Sequence, residues 1–192
     1  MLRKIVFDPR KPWLGGNIFG GDENTYCPAI WDYLIDTFKP SSICDVGCGE
    51  GHLMLYFFKK GISVTGIEGL EENKFYAPSA IRQNIIIHDF INRFDQVNHY
   101  DMVLSCEFVE HVEEKYSINY LDQFKECNIL VFTHAVPDQI GRHHVNCRDD
   151  AYWIGIMEVF KFTWLKKETN QARYLSAGNL WNTTLIFKKN IS

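Results

Sequence analysis

The sequence lacks any apolar run near the roughly 18–20 residues that a helix needs to span a bilayer. Its first ten residues, Met1 to Arg10, hold no long apolar core of the kind that marks a secretory leader, so a cytoplasmic protein is expected. It also lacks a cysteine framework. The thiols at 27, 44, 48, 106, 127 and 147 form no CxxC pair and read as reduced side chains. Cations are not in excess: Lys and Arg total 20 against 24 Asp and Glu, a formal charge of −4. Extended nucleic-acid binding needs clustered cations, so a nucleic-acid partner is disfavoured. Internal repeats and low-complexity segments are missing too. What is present is ordinary globular chemistry, 46% hydrophobic and 23% charged, in 192 residues that suit one domain. Aromatic residues, at 15%, are abundant enough for a bulky core or a platform for a ring-shaped ligand.

From Ser41 onward, short β-branched runs alternate with helical stretches. Strands are expected at Ser42–Val46, Ser63–Ile67, Asn84–His88, Met102–Ser105 and Ile129–His134. Helices are expected over Gly51–Lys60, from Glu71 to Phe75, over Glu110–Glu126 and over Asp150–Val159. Phe160–Leu165 and Leu180–Phe187 read as two closing strands. Such alternation predicts an α/β fold, a mostly parallel sheet with helices on both faces. Ahead of it, Pro28–Phe38 places Trp31, Leu34, Ile35 and Phe38 on one helical face, with Pro28 in the first turn. Gly15–Asp22 is too glycine-rich for regular structure and is expected to be a flexible arm or lid. The division is residues 1–40 as arm and helix and 41–192 as core, within a single domain.

The sharpest local signal is Ile43-Cys44-Asp45-Val46-Gly47-Cys48-Gly49-Glu50-Gly51, a strand entering three alternate glycines before a helix. Glycine tolerates positive φ and lets a ligand approach the backbone. Glu68 ends the next strand, 21 residues after Gly47, where an acid can hold a ribose diol. The order D-x-G-x-G-x-G resembles the class I S-adenosylmethionine-dependent methyltransferases from Ser41 to about Ala135. The resemblance implies a Rossmann-like seven-stranded sheet whose last strand is antiparallel and lies beside the fifth. It further implies that Asp45, Gly47 and Gly49 line the methionine part of S-adenosylmethionine, that Glu68 holds the ribose, and that His88, Asp89 and Phe90 flank the adenine. Cys106, closing the fourth strand, joins this cofactor set.

Beyond that strand, Glu107, Glu110 and His111 stand at i, i+3 and i+4. If a helix starts there, they share one face. Carboxylates so close repel unless a proton or a cation lies between them, and an oxygen-rich set favours Mg²⁺ or Mn²⁺. The E-x-x-E-H pattern resembles the metal-dependent small-RNA 2′-O-methyltransferases and the quinone O-methyltransferases. It implies a metal site of Glu107, Glu110, His111 and a distant histidine, with His144 first and His143 next. The same pattern also serves as a metal-free histidine base, so His111, His144 and Glu107 are the catalytic candidates under either chemistry. His52 is expected near the cofactor without chemical duty, and His99 in solvent.

An aliphatic hydroxyl needs a base or a metal before it attacks a methyl group, whereas a neutral amine does not. The site therefore favours oxygen as acceptor. Scattered residues from Gly15 through Tyr26, from Thr133 to Asn146 and around Trp153 resemble small methyltransferases of large DNA viruses, chlorovirus type. Some of these are linked or fused to glycosyltransferases. That resemblance implies O-methylation of a sugar at a glycan end, host cytoplasm for a viral source, and a larger glycosyltransferase chain as one possible parent. Tyr26, His134, His143 and Trp153 are the substrate-contact candidates. Two alternatives stay open: an RNA ribose 2′-O-methyltransferase and a non-enzymatic cofactor-binding module.

Overall fold

The computed structural model describes residues 4–190. The first three and last two residues of the expected 1–192 domain therefore lie outside the described residues. A two-stranded antiparallel ribbon, β1 (Ile5–Val6) and β2 (Asn17–Ile18), precedes helix α1 (Pro28–Phe38). The core follows as β3 (Ser42–Val46), α2 (His52–Lys59), β4 (Ser63–Glu68), α3 (Glu71–Tyr76), β5 (Ile85–Ile87), β6 (Tyr100–Ser105), α4 (Ser117–Phe124) and β7 (Cys127–Phe132). It closes with α5 (Asp150–Val159), β8 (Phe162–Trp164), α6 (Lys166–Leu175) and β9 (Leu185–Lys189). Seven strands form one sheet in the order β5-β4-β3-β6-β7-β9-β8. β9 alone runs antiparallel, between β7 and β8, as the resemblance implied.

Strand alternation builds the two faces. Ile43, Met102, Leu104 and Val131 point into one cluster with Trp31, Leu34, Met54 and Phe57 from α1 and α2. Cys44, Val103, Leu130 and Phe132 point into the other, against Tyr120 and Phe124 of α4 and Trp153 and Met157 of α5. Each fully buried large apolar side chain contributes roughly 1.5–3 kcal/mol relative to exposure. Strands covered on both sides must read as continuous apolar runs, and these do. Among the described residues no helix is long and apolar enough to cross a membrane.

Three expectations need correction. The helix expected over Glu110–Glu126 is two 3₁₀ turns, Val109–His111 and Glu114–Tyr116, followed by α4. Glu107 at φ 52 and the extended Val112 (φ −99, ψ 121) break any longer helix. The closing strand expected from Leu180 opens instead as a 3₁₀ turn, Leu180–Thr183, and pairs only from Leu185. Helix α6 was not expected at all, because its buried stripe is the small, weakly apolar Thr169 and Ala172. The glycine-rich arm is also more regular than expected. It carries β2 and is fastened to the core, with Gly20 N donating to Glu50 Oε1 at 2.9 Å and Phe19 meeting Tyr76 edge-on at 4.9 Å.

Candidate active site

The chain steps outward from β3 to β4 and β5, then returns to add β6 on the other side of β3. The crevice at the carboxyl ends of β3 and β6 is thus the switch point where α/β sheets bind ligands. Ser105 Oγ donates to Val46 O across it at 2.8 Å. Above it lies a cavity of about 450 Å³, walled by the loops after β3, β4, β5 and β6 and by the N-terminal arm. Asp45, Gly47, Gly49, Glu68, His88, Asp89, Phe90 and Cys106 all line it.

Gly47 (φ 76) cannot be another residue without strain, since a Cβ there would come within 2.6 Å of the Phe108 ring. The Glu68 carboxylate is held by two backbone donors, Gly49 N at 2.9 Å and Leu70 N at 2.8 Å. Burial pushes its pKa up, and those hydrogen bonds oppose the rise. Asp45 is pushed up to about 7 by burial and then by repulsion from Glu68. Both carboxylates favour a ligand that brings hydroxyl donors or positive charge. On the adenine side of the expected site, Asp89 accepts the Trp13 indole N–H at 3.0 Å, and His88 packs edge-on to Phe90. These groups fit a cationic nucleoside.

At the other end, the loop after β7 brings a distant histidine to the acids. Val145 N and Asn146 N donate to Glu110 O at 2.9 and 3.1 Å, which folds the loop back on the 3₁₀ turn. His111 and His144 then meet with ring centroids 5.1 Å apart. Ligand atoms of Glu110, His111 and His144 all lie within 4.8 Å of one another. Both carboxylate oxygens of Glu110, and Nδ1 of His111, are buried with no hydrogen-bond partner. Burial and then repulsion from Glu107 push Glu110 up to about 8. Burial and repulsion from Asp22 push Glu107 to about 7. Burial, with His144 beside it, drops His111 to about 4, so its imidazole is neutral and available as a ligand or base.

Glu107 does not join this group through a shared helical face, because its positive φ takes it off any helix. Its N–H donates to Thr133 Oγ1 at 2.8 Å, and its side chain lines the cavity between cofactor loop and histidines. The metal-competent group is therefore one carboxylate and two imidazoles rather than an oxygen-rich set. Three substrate-contact expectations are corrected. His134 is buried, with Nε2 on Asp150 Oδ1 at 2.9 Å, inside a network that Arg173 completes. Trp153 is 1% exposed and packs on Phe132 and Tyr152. His143 bends the loop at φ 55 and lies outside the cavity wall. Tyr26 and His52 do line the cavity, while His99 faces solvent, 58% exposed.

Sequence reasoning missed Glu50, Asn17 and Asn73. Glu50 is buried and anchors the arm through Gly20, and Asn17 donates to Asn73 at 3.4 Å above Gly49. The signal was available in the glycine loop itself, where an acid between two glycines has no core to enter.

The seven-stranded sheet and the crevice at its switch point have the Rossmann-like architecture of methyltransferase domains. Residues 21–132 match the model of a methyltransferase domain, and the chain belongs to that family. Its relatives include the ubiquinone biosynthesis O-methyltransferase of Rickettsia bellii, 24% identical over 169 residues. That match covers 80% of this chain and 66% of the relative, so the chain spans just under two thirds of the curated protein's length. Among solved structures, magnesium protoporphyrin IX methyltransferase from Synechocystis, with S-adenosylmethionine bound, superposes with TM-score 0.63 at 15% identity. The superposition covers 85% of this chain and 77% of that one. The methyltransferase domain of bacterial CtHen1 gives TM-score 0.58 at 15% identity, covering 85% and 96%. These structural likenesses carry the fold.

Proposed function

We propose that the protein transfers a methyl group from S-adenosylmethionine to a hydroxyl of a sugar, a glycan end or a similar small acceptor. The observation that carries the reading is the buried, unpartnered Glu110 carboxylate beside His111 and His144, the two histidines lining the cavity. Asp45, Gly47, Gly49 and Cys106 would hold the methionine part, Glu68 the ribose, and His88, Asp89 and Phe90 the adenine. A neutral amine needs no such group, so oxygen is the acceptor atom. The Rickettsia relative's name supports oxygen, while its quinone substrate class remains that protein's own.

Two imidazoles and one carboxylate fit a divalent ion, better Mn²⁺ than Mg²⁺ given the nitrogen donors. Such an ion would supply Lewis acidity toward the acceptor hydroxyl. The chain's own part is to fix the acceptor oxygen in line with the methyl carbon, exclude water, and take the hydroxyl proton at Glu107 or His111. Glu107 is suited to this because it lines the cavity between the two ends. Residues 1–40 serve as arm and helix on a single 41–192 core, in the cytoplasm. An RNA ribose acceptor is the second reading, since the E-x-x-E-H pattern of Glu107, Glu110 and His111 resembles that of the small-RNA 2′-O-methyltransferases.

The test is a methyl-transfer screen over glycans, small alcohols and nucleosides, read by mass shift, in EDTA and with Mn²⁺ or Mg²⁺ added back. Turnover of a hydroxyl acceptor, lost in chelator and restored by metal, is the expected result. Full turnover in chelator would remove the metal and leave a histidine or Glu107 base. Tight cofactor binding with no turnover anywhere would leave a cofactor-binding module.

A further inference from the structure

The cavity wall is electrically one-sided. Among the described residues it carries eight carboxylates and not one lysine or arginine. Asp45, Glu50 and Glu68 are the deepest of them, and Glu110 is buried just outside the wall. Much of this charge is answered locally: Lys115 sits 2.8 Å from Glu113, and His52 3.5 Å from Glu50. Glu68 and Asp89 accept hydrogen bonds, and Asp22 and Glu23 have partners of their own. Lys115 and His52 bring no guanidinium or ammonium into the wall. The arginine nearest in sequence to the catalytic histidines, Arg142, is exposed and rests over the Phe7 ring at 4.8 Å, outside the wall. The same wall offers uncharged flat surfaces at Trp13, Tyr26, Phe108 and Tyr116.

A concave, low-dielectric cleft lined by one sign of charge focuses its field and repels ligands of that sign. Phosphate recognition uses arginine forks, lysines or helix N-termini with free N–H groups, and among the described residues no arginine or lysine lines this wall. We infer that the acceptor is an uncharged hydroxyl compound bearing no phosphate, bound by stacking on aromatic faces. This rests on the O-methyltransferase reading above. For a sugar it also fixes the order of events. The acceptor must come from a reaction that has already removed the phosphate: hydrolysis of a phosphate ester, or a glycosyl transfer that breaks the anomeric C–O bond to a nucleoside diphosphate and forms a neutral glycoside. Methylation then forms an O–CH₃ bond, breaks the C–S⁺ bond and releases the hydroxyl proton.

The experiment pairs each neutral acceptor that is turned over with its own phosphate monoester or nucleoside-diphosphate form. Like-charge contact is expected to lower kcat/KM for the phosphorylated partner by at least about tenfold, with the gap shrinking in high salt. Equal or better turnover of the phosphorylated partner overturns the inference. In parallel, full-length protein saturated with S-adenosylhomocysteine is titrated calorimetrically with inorganic pyrophosphate. No saturable binding into the millimolar range is expected, and micromolar binding overturns the inference. This second arm reads the cavity even if no hydroxyl acceptor is found, an outcome that would strike the O-methyltransferase reading alone.

Discussion

Replacing Glu110 by Gln should stabilise the metal-free protein while disabling it. In the fold, burial and the neighbouring Glu107 raise the Glu110 pKa to about 8 from an ordinary 4.5. A carboxyl raised in this direction favours the folded state below its unfolded pKa and loses that advantage as pH climbs through the folded value. At pH 7 the unfolded chain has released a proton that the folded chain retains, which costs the fold about 3 kcal/mol. Glu107 shares this load, so the net gain from a neutral amide is about 1–3 kcal/mol. The amide also keeps a donor toward the Glu107 carboxylate at every pH, whereas the acid at 110 loses its donor once it ionises. For a chain of this length that gain is about 3–9 °C in Tm. Scanning calorimetry in EDTA from pH 4.5 to 8 measures it. The advantage of E110Q should be near zero at pH 4.5 and grow toward pH 8, while Mn²⁺ should raise the Tm of the parent alone. A variant less stable at every pH would refute the assignment of Glu110 as a strained, functional acid. It would then be an ordinary buried group with a partner.

Asp45→Ala and Glu68→Ala should each weaken S-adenosylmethionine binding at least about tenfold by calorimetry with the fold intact, because each removes a group facing the cavity; unchanged affinity in both would sink the cofactor assignment. Gly47→Ala should cost about 1–3 kcal/mol and abolish cofactor binding, since its φ of 76 and the Phe108 ring at 2.6 Å leave a methyl no room. His134→Ala should lower Tm by removing one of the two partners of Asp150 yet leave cofactor Kd within about twofold, and a large change in Kd would return His134 to the site. His134 and Arg173 hold Asp150 well below the usual carboxylate range. Its stabilising contribution is therefore present above pH 4 and fades as pH falls, opposite in sign to that of Glu110.

The glycine loop and the strand order around it were legible because local chemistry and global fold agree there. A strand buried on both faces must be apolar, and a backbone at φ 76 must be glycine, so Ile43–Gly51 could hardly read otherwise. Of the expected acid–histidine group, Glu110, His111 and His144 come together, but not by the helical construction that included Glu107. Helical spacing put Glu107, Glu110 and His111 on one face, whereas a 3₁₀ turn and the loop after β7 assemble Glu110, His111 and His144 instead. Spacing rules assume regular backbone, and this segment departs from it at Glu107. His134 and Trp153 show the opposite failure. Both have the chemistry of substrate contacts, but burial is a tertiary property, and the Arg173 that completes the His134–Asp150 network comes from a helix the sequence did not announce.

The arm ties these parts into one device. Trp13 holds Asp89 at the adenine end, Asn17 and Gly20 fasten onto Asn73 and Glu50 beside the glycine loop, and Gly15 sits against His111 at the acceptor end. A Cβ at Gly15 would come within 3.2 Å of the His111 ring, so the arm also forms part of the wall that keeps this imidazole dry. One segment thus touches all three of these places, through a few hydrogen bonds and contacts. Cofactor entry past it must loosen contacts near Asp89 and Glu50, and those same contacts are what place Gly15 over the acceptor histidine. On the proposed function, cofactor binding and acceptor-site assembly therefore share a physical part, the arm. Protease cleavage at the exposed Phe19 reports on that coupling directly: S-adenosylhomocysteine should slow it, and cleavage indifferent to cofactor would separate the arm from the site.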